Sequence, residues 1–164
     1  MINEITSLLK SKFSDSLLKV VSEDKRISLL VKKEKFYQVL SQLKDAGFNH
    51  FSDVTAVDYI DEQEFELIYH LWSHREKIRA MVKVRIPREV PTIKSVVDLW
   101  TGAQMHEREA HELFGINFEG NPNLSPLFLE DWEEIPPFRR DFDTRKYVKE
   151  KYYLQDEGYP VAKG

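Results

Sequence analysis

Titratable side chains are densest at His106-Glu107-Arg108-Glu109-Ala110-His111-Glu112, a run of imidazoles, carboxylates and one guanidinium. Such a set could hold a metal and polarise water, as in a metal-dependent hydrolase built on His106, Glu107 and His111. Its spacing argues against that chemistry. A zinc-protease helix needs histidines at i and i+4, whereas His106 and His111 stand at i and i+5 and diverge by about 140° on a helix of 3.6 residues per turn. A di-iron helix needs Glu and His at i and i+3, but Glu107 is followed there by Ala110 and Glu109 by Glu112. The spacing does place Arg108 and Glu112 at i and i+4, and Glu109 and Glu112 at i and i+3, so charge occupies several faces beside Leu113 and Phe114. Two readings stand: a solvated face whose ion pairs contribute about half a kcal/mol or less each, or charges paired with another chain.

Other candidate chemistry is thinner. Asp53 and Asp58 flank Thr55, but no nucleophile, phosphate loop or third ligand accompanies them, and turn or capping roles are expected. His70 and His74 are four apart on an expected strand and its turn, where that interval does not define one face. The chain contains no GxxxxGK[ST], GxGxxG or GxSxG. It also contains no cysteine, so it supplies no disulfide, no thiolate to an iron–sulfur cluster and no Cys nucleophile. Redox chemistry is therefore expected from a partner. A net charge of -4 and a pI near 5.8 oppose nucleic-acid binding.

These groups must be positioned by a folded core. The 164 residues are 41% hydrophobic and 32% charged, with mean hydropathy -0.49, which suits one soluble domain. No apolar run approaches the roughly 20 residues of a spanning helix. The start MINEITSLLKSKF lacks the basic and apolar regions of a secretory signal, so a cytoplasmic site is expected.

Ile5, Leu8, Leu9 and Phe13 predict a helix over 3–13, and Phe36, Val39, Leu40 and Leu43 a second, stopped by Gly47. The runs 17–22 and 27–31 predict a hairpin, and 64–72 and 78–86 a longer antiparallel one with alternating faces. Segments 92–100 and 105–114 read as helices, the latter closed by Gly115. The expected class is α+β, a mixed or antiparallel sheet packed with helices. Its core spans 1–115, with Leu67, Tyr69, Ile78, Val82 and Val84 facing the helix at Phe36 to Leu43.

Residues 116–164 lose this periodicity yet stay rich in aromatics, including Phe118, Phe128, Trp132, Phe138, Phe142, Tyr147, Tyr152, Tyr153 and Tyr159. Such a tail is expected to lie extended on a surface, its own domain's or a partner's. Its charge is segregated: Glu130-Asp131-Trp132-Glu133-Glu134 is acidic, while Arg139-Arg140 and Arg145-Lys146 are basic. Arginine beside aromatics is enriched at interface anchors, which favours a protein partner over catalysis.

The run Glu107-Arg108-Glu109-Ala110-His111-Glu112-Leu113-Phe114-Gly115-Ile116-Asn117-Phe118-Glu119-Gly120-Asn121-Pro122-Asn123-Leu124 resembles the signature of the 30-kDa subunit family of respiratory complex I (NADH dehydrogenase) and its relatives in membrane-bound [NiFe] hydrogenases. Asp53 to Tyr59, Phe65 to Leu71 and Phe138-Arg139-Arg140-Asp141-Phe142 look like further blocks, so the resemblance covers roughly 30–145. Asn121-Pro122 and the run Leu127 to Trp132 look closer to the hydrogenase-related, ferredoxin-linked branch, which includes sulfur-reducing relatives.

The resemblance implies an α+β sandwich without a redox cofactor of its own. It implies a structural subunit that braces a large catalytic chain of the 49-kDa or NiFe-hydrogenase-like type and a small Fe-S subunit. Those partners would carry [4Fe-4S] clusters and, in the hydrogenase version, a NiFe centre. Membrane-arm subunits would be reached indirectly, and the chain would sit peripherally on the cytoplasmic face of the membrane. The expected partner contacts are Glu107, Arg108, Glu109, Glu112, Phe114, Asn121, Pro122, Trp132, Arg139, Arg140 and Asp141. Alternatives are the 30-kDa subunit of an NADH-, F420- or ferredoxin:quinone oxidoreductase or of a sulfur reductase, and a free-standing α+β binding module.

Overall fold

Alternation of large apolar residues with charged ones dictates the centre of the molecule. In the computed structural model, which describes residues 2–152, Phe65, Leu67, Tyr69 and Leu71 of one strand and Ile78, Ala80, Val82, Val84 and Ile86 of the next are all buried. Residues between them point to the opposite face. The elements in order are α1 (Ile2–Phe13), β1 (Leu17–Glu23), β2 (Arg26–Val31), α2 (Phe36–Asp45), β3 (His50–Tyr59), β4 (Glu64–Ser73) and β5 (Ile78–Pro87). They continue with β6 (Thr92–Lys94), α3 (Ala103–Phe114), β7 (Asn117–Glu119) and α4 (Thr144–Tyr152).

The main sheet has five strands in the order β1-β2-β5-β4-β3, antiparallel except for the parallel pair β2 and β5. The crossover from β2 through α2, β3 and β4 to β5 covers one face with helices. Ile5 and Leu9 of α1, Phe36, Val39, Leu40 and Leu43 of α2, and Ala110, Leu113 and Phe114 of α3 join the same core as the strands. Each of the larger of these side chains contributes roughly 1.5–3 kcal/mol on burial. The expected α+β class and both hairpins are therefore present, and Phe36 rests on Tyr69 with ring centroids 5.7 Å apart.

Three expectations need correction. Segment 92–100 is not a helix: Thr92–Lys94 is a strand parallel to β7, followed by turns. Ile93, Val96 and Trp100 fall at helical spacing, yet they are buried because β7 supplies a distant partner. Asp53 and Asp58 lie within strand β3, not in turns or caps. A register shift between Phe51 and Asp53 breaks the alternation that would have revealed that strand. Finally, the core does not stop at 115, since Ile116 and Phe118 are buried. No helix among the described residues is long and apolar enough to cross a membrane.

Candidate functional site

Helix α3 carries the titratable cluster, and its two faces do different work. Glu107 faces inward and has no exposed surface. Its Oε2 accepts from the Ser95 hydroxyl at 2.6 Å and the Asn121 amide at 2.8 Å, while Oε1 accepts from the Val96 N–H at 2.8 Å. Burial pushes its pKa upward, and the three donors offset only part of that. Glu107 thus ties α3 to the turns that follow β6 and β7. Asn121 is similarly occupied: its Nδ2 also donates to the Gln104 carbonyl, and its Oδ1 accepts from the Asn123 N–H.

On the outer side, Arg108 and Glu112 grip one loop from opposite chemical directions. Arg108 donates through Nε to the Ser125 carbonyl and through Nη2 to that of Pro126. Glu112 accepts from the N–H groups of Leu127 at 3.0 Å, Phe128 at 3.0 Å and Leu129 at 2.8 Å. A helical i and i+4 pair therefore fixes a segment that has no ladder of its own to satisfy its backbone. The pinned loop turns Phe128 outward, 62% exposed.

The chain is fastened again at the C-terminal end of α3. Gly115 ends the helix at φ 76°, donating to the His111 carbonyl. A Cβ there would lie 3.0 Å from both Arg139 Nη2 and Pro136 Cγ, so the helix stop is also a seat for the tail. Arg139 Nε donates to the Phe114 carbonyl at 2.9 Å, and the Phe138 N–H to that of Leu113 at 3.0 Å. Phe138 meets Phe114 edge-on at 5.6 Å, and Phe114 in turn meets Phe65 at 6.1 Å.

Below this lies a buried ion network that sequence reasoning did not find. Arg88 engages Asp58 with both prongs of its guanidinium, at 2.9 and 3.1 Å, and reaches Asp141 at 2.6 Å. The Arg140 N–H donates to the same Asp58 at 2.8 Å. Burial alone would raise the Asp58 pKa, but Arg88, the Arg140 amide and nearby Arg139 together hold it below the ordinary value. Trp132 closes the segment by packing on Phe142 and Tyr147 at 5.4 and 4.9 Å.

These contacts revise the expected contact set. Glu107 and Phe114 are buried in the domain and are not surface groups. Arg108, Glu112, Arg139 and Asp141 spend their polar atoms on this chain's own backbone or on Arg88, so residues 120–143 wrap over their own domain. Glu109 is half-buried, while Pro122 and the side chain of Arg140 are exposed. His106 packs against Phe51 and His111 Nδ1 bonds the Ile116 carbonyl, so the two imidazoles serve different segments. No group of three or more metal-ligating side chains occurs among the described residues.

What this frame offers to solvent is apolar and acidic. Phe128, Ile135 and Phe138 are 62%, 43% and 58% exposed. Glu130, Asp131, Glu133 and Glu134 lie between Phe128 and Ile135 in sequence, all exposed. Phe128, Ile135 and Phe138 are absent from the contacts expected from sequence, although the density of aromatics in an aperiodic segment is the signal that points to them. Tyr153 and Tyr159, expected to belong to the same surface, lie outside the described residues.

Comparisons with known proteins agree on one relationship. The family described as respiratory-chain NADH dehydrogenase, 30 Kd subunit, matches residues 29–148. A subunit of the NADH-quinone oxidoreductase of Citrifermentans bemidjiense is 35% identical over 152 residues, covering 92% of this chain and 94% of that protein. A subunit of the F(420)H(2) dehydrogenase of Methanosarcina mazei is 36% identical over 146 residues, covering 85% and 90%. Among solved structures, a chain of the membrane-bound sulfane sulfur reductase, an archaeal respiratory membrane complex, superposes with TM-score 0.85 and 32% identity, covering 98% of this chain and 96% of that one. The trypsin-resistant fragment of Nqo5 gives TM-score 0.64 at 29% identity, covering 76% of this chain and all of the fragment.

Proposed function

The chain belongs to the 30-kDa subunit family of the respiratory-chain NADH dehydrogenase, and from that premise we propose that it is a non-catalytic structural subunit of a complex I-like, membrane-bound oxidoreductase. It braces a large catalytic subunit and holds a small Fe-S subunit beside it, on the cytoplasmic side of the membrane. The observation that carries this reading is the pinned segment 120–143, which presents Phe128, Ile135 and Phe138 to solvent on a framework of internal hydrogen bonds. Pre-ordering matters energetically, because each side chain immobilised only on binding costs about 0.5–1.5 kcal/mol. Glu109, Pro122, Trp132 and Arg140, none of them fully buried, are proposed to join the contact.

Electron transfer belongs to the partners. With no cysteine and with His106 and His111 committed to separate segments, the residues present do not suit a cluster or a NiFe centre. What this chain supplies is geometry: its rigid face keeps the partner's reaction cavity and cluster spacing fixed while membrane subunits move ions. A hydrogenase-type, ferredoxin-linked complex is the version proposed. The second reading, a sulfur-reducing complex, is favoured by the near-complete superposition on a sulfane sulfur reductase chain.

Native affinity purification in mild detergent, followed by mass spectrometry of the accompanying chains, tests both. A large subunit with paired CxxC nickel ligands supports the hydrogenase version, and one with degenerate ligands supports the sulfur- or quinone-linked version. Recovery of this chain alone would overturn the structural-subunit reading and favour a free-standing module.

A further inference from the structure

The helix-free face of the sheet treats its cations in two ways. Toward the C-terminal end of β5 both cations are matched: Lys83 pairs with Glu66 at 3.0 Å, and Arg85 with Glu64 at 3.1 Å and Glu66 at 3.3 Å. At the opposite end the pattern reverses. Arg26 of β2 lies directly across from Arg79 of β5, and both are exposed. Lys25 and Lys77 extend the positive charge from the two adjoining turns. None of these four makes an ion pair among the described residues, even though Glu23 stands opposite Arg26 in the neighbouring strand pair.

Like charges directly across a sheet are destabilising, so this arrangement calls for a compensating anion. The surroundings are shaped for one. Arg79 borders three adjoining clefts of about 240, 390 and 430 Å³. Its guanidinium lies over the Trp72 ring at 5.8 Å, and the Trp72 indole is held by donation to His74 Nδ1 at 3.1 Å. The β1–β2 turn is tied to β5 by the Arg79 N–H bonding the Lys25 carbonyl at 2.9 Å, so the two arginines sit on a joined frame.

We propose that this end of the open sheet face, centred on Arg26, Arg79 and Trp72, docks an extended, carboxylate-rich segment of a protein partner. Two arginines paired across adjacent strands, whose backbones run about 4.8 Å apart, can meet carboxylates spaced along an extended chain, and arginine binds a carboxylate in bidentate fashion. Trp72, across from Arg79 on β4, supplies an apolar floor for the residue that follows the Arg79-bound carboxylate. Glu23 and Asp24 also line the clefts, and they disfavour a compact multiply charged anion more than spaced carboxylates. The site lies at the far end of β5 from the Arg88 network that fastens the tail, so it is separate from the surface proposed above.

Titration calorimetry on the full chain tests this, with a blocked peptide of alternating glutamate and alanine as the probe. Arg26→Ala and Arg79→Ala should each weaken binding about tenfold, and Lys10→Ala on exposed α1 should leave it unchanged. Arg26→Ala should also keep or raise the melting temperature, because it relieves repulsion. The proposal is overturned if the double arginine variant binds the peptide as well as the parent, or if Arg26→Ala lowers the melting temperature by several degrees. Equal competition by inorganic phosphate at matched ionic strength overturns it as well, as does binding of phosphatidylglycerol vesicles without binding of the peptide.

Discussion

Asp58 and Glu107 are both buried carboxylates, and their environments push their titration in opposite directions. For Asp58 the folded pKa lies below the unfolded one, so its contribution to stability is complete above the unfolded value of about 3.9 and is lost as pH falls through the folded value. For Glu107 the folded pKa is raised, so stability is lost as pH rises from about 4.3 through its folded value. Asp58→Asn should destabilise the domain by about 1.5–3 kcal/mol, because it removes the bidentate partner of Arg88 and leaves only the half-exposed Asp141. It should also flatten the acid limb of the stability profile, which urea titrations between pH 3 and 7 would resolve. Tyr69 offers the converse case: its hydroxyl is buried without a hydrogen-bond partner among the described residues, and burial holds its pKa well above the ordinary value. Tyr69→Phe should therefore raise stability by about 1 kcal/mol, visible as a higher melting temperature. Neither residue could be ranked from sequence, since Arg88 is thirty positions from Asp58 and nothing local marks Tyr69 as lacking a partner.

The strands β4 and β5 and the helices α1, α2 and α3 were legible because period 2 and period 3.6 are written locally. Val82, fully buried at the centre of β5, tests that assignment: Val82→Asp should cost several kcal/mol by burying an unpaired charge. An unchanged melting temperature would show that the sheet faces are reversed. β3 and β6 were not legible, the first because a bulge interrupts its alternation and the second because it is three residues long and exists through pairing with β7. Helix α3 carries a further prediction. Glu112→Ala removes the acceptor of three consecutive N–H groups, so amides 127–129 should exchange with solvent faster while the sheet amides stay protected. Hydrogen-exchange mass spectrometry separates the two regions. Uniform loss of protection would mean that Glu112 supports the whole fold and not the loop alone.

At the scale of the molecule, the domain and its wrapped segment expose Phe128, Ile135 and Phe138, the groups proposed to meet a partner. Phe128→Ala should leave the melting temperature nearly unchanged, since the ring is mostly exposed, yet lower recovery of this chain with its complex. Joint replacement of Arg139 and Arg140 by Ala should act in the same direction, by releasing the tail from the Phe114 carbonyl, and so should deletion of 146–164. Normal assembly of all three variants would move the interface elsewhere. The sequence by itself determined the α+β class, the main hairpins and the family, because these rest on local periodicity and on a contiguous run of identities. It also named Arg108, Glu112, Arg139 and Asp141 as charges with work to do. Only the tertiary structure decided what that work is. The wrapping of residues 120–143 brings donors and acceptors of distant parts of the chain within 3 Å of one another, and it turns expected partner contacts into the internal frame that presents Phe128, Ile135 and Phe138. Hydrogen-bond satisfaction is a property of three-dimensional neighbours, and residue spacing along the chain does not record it.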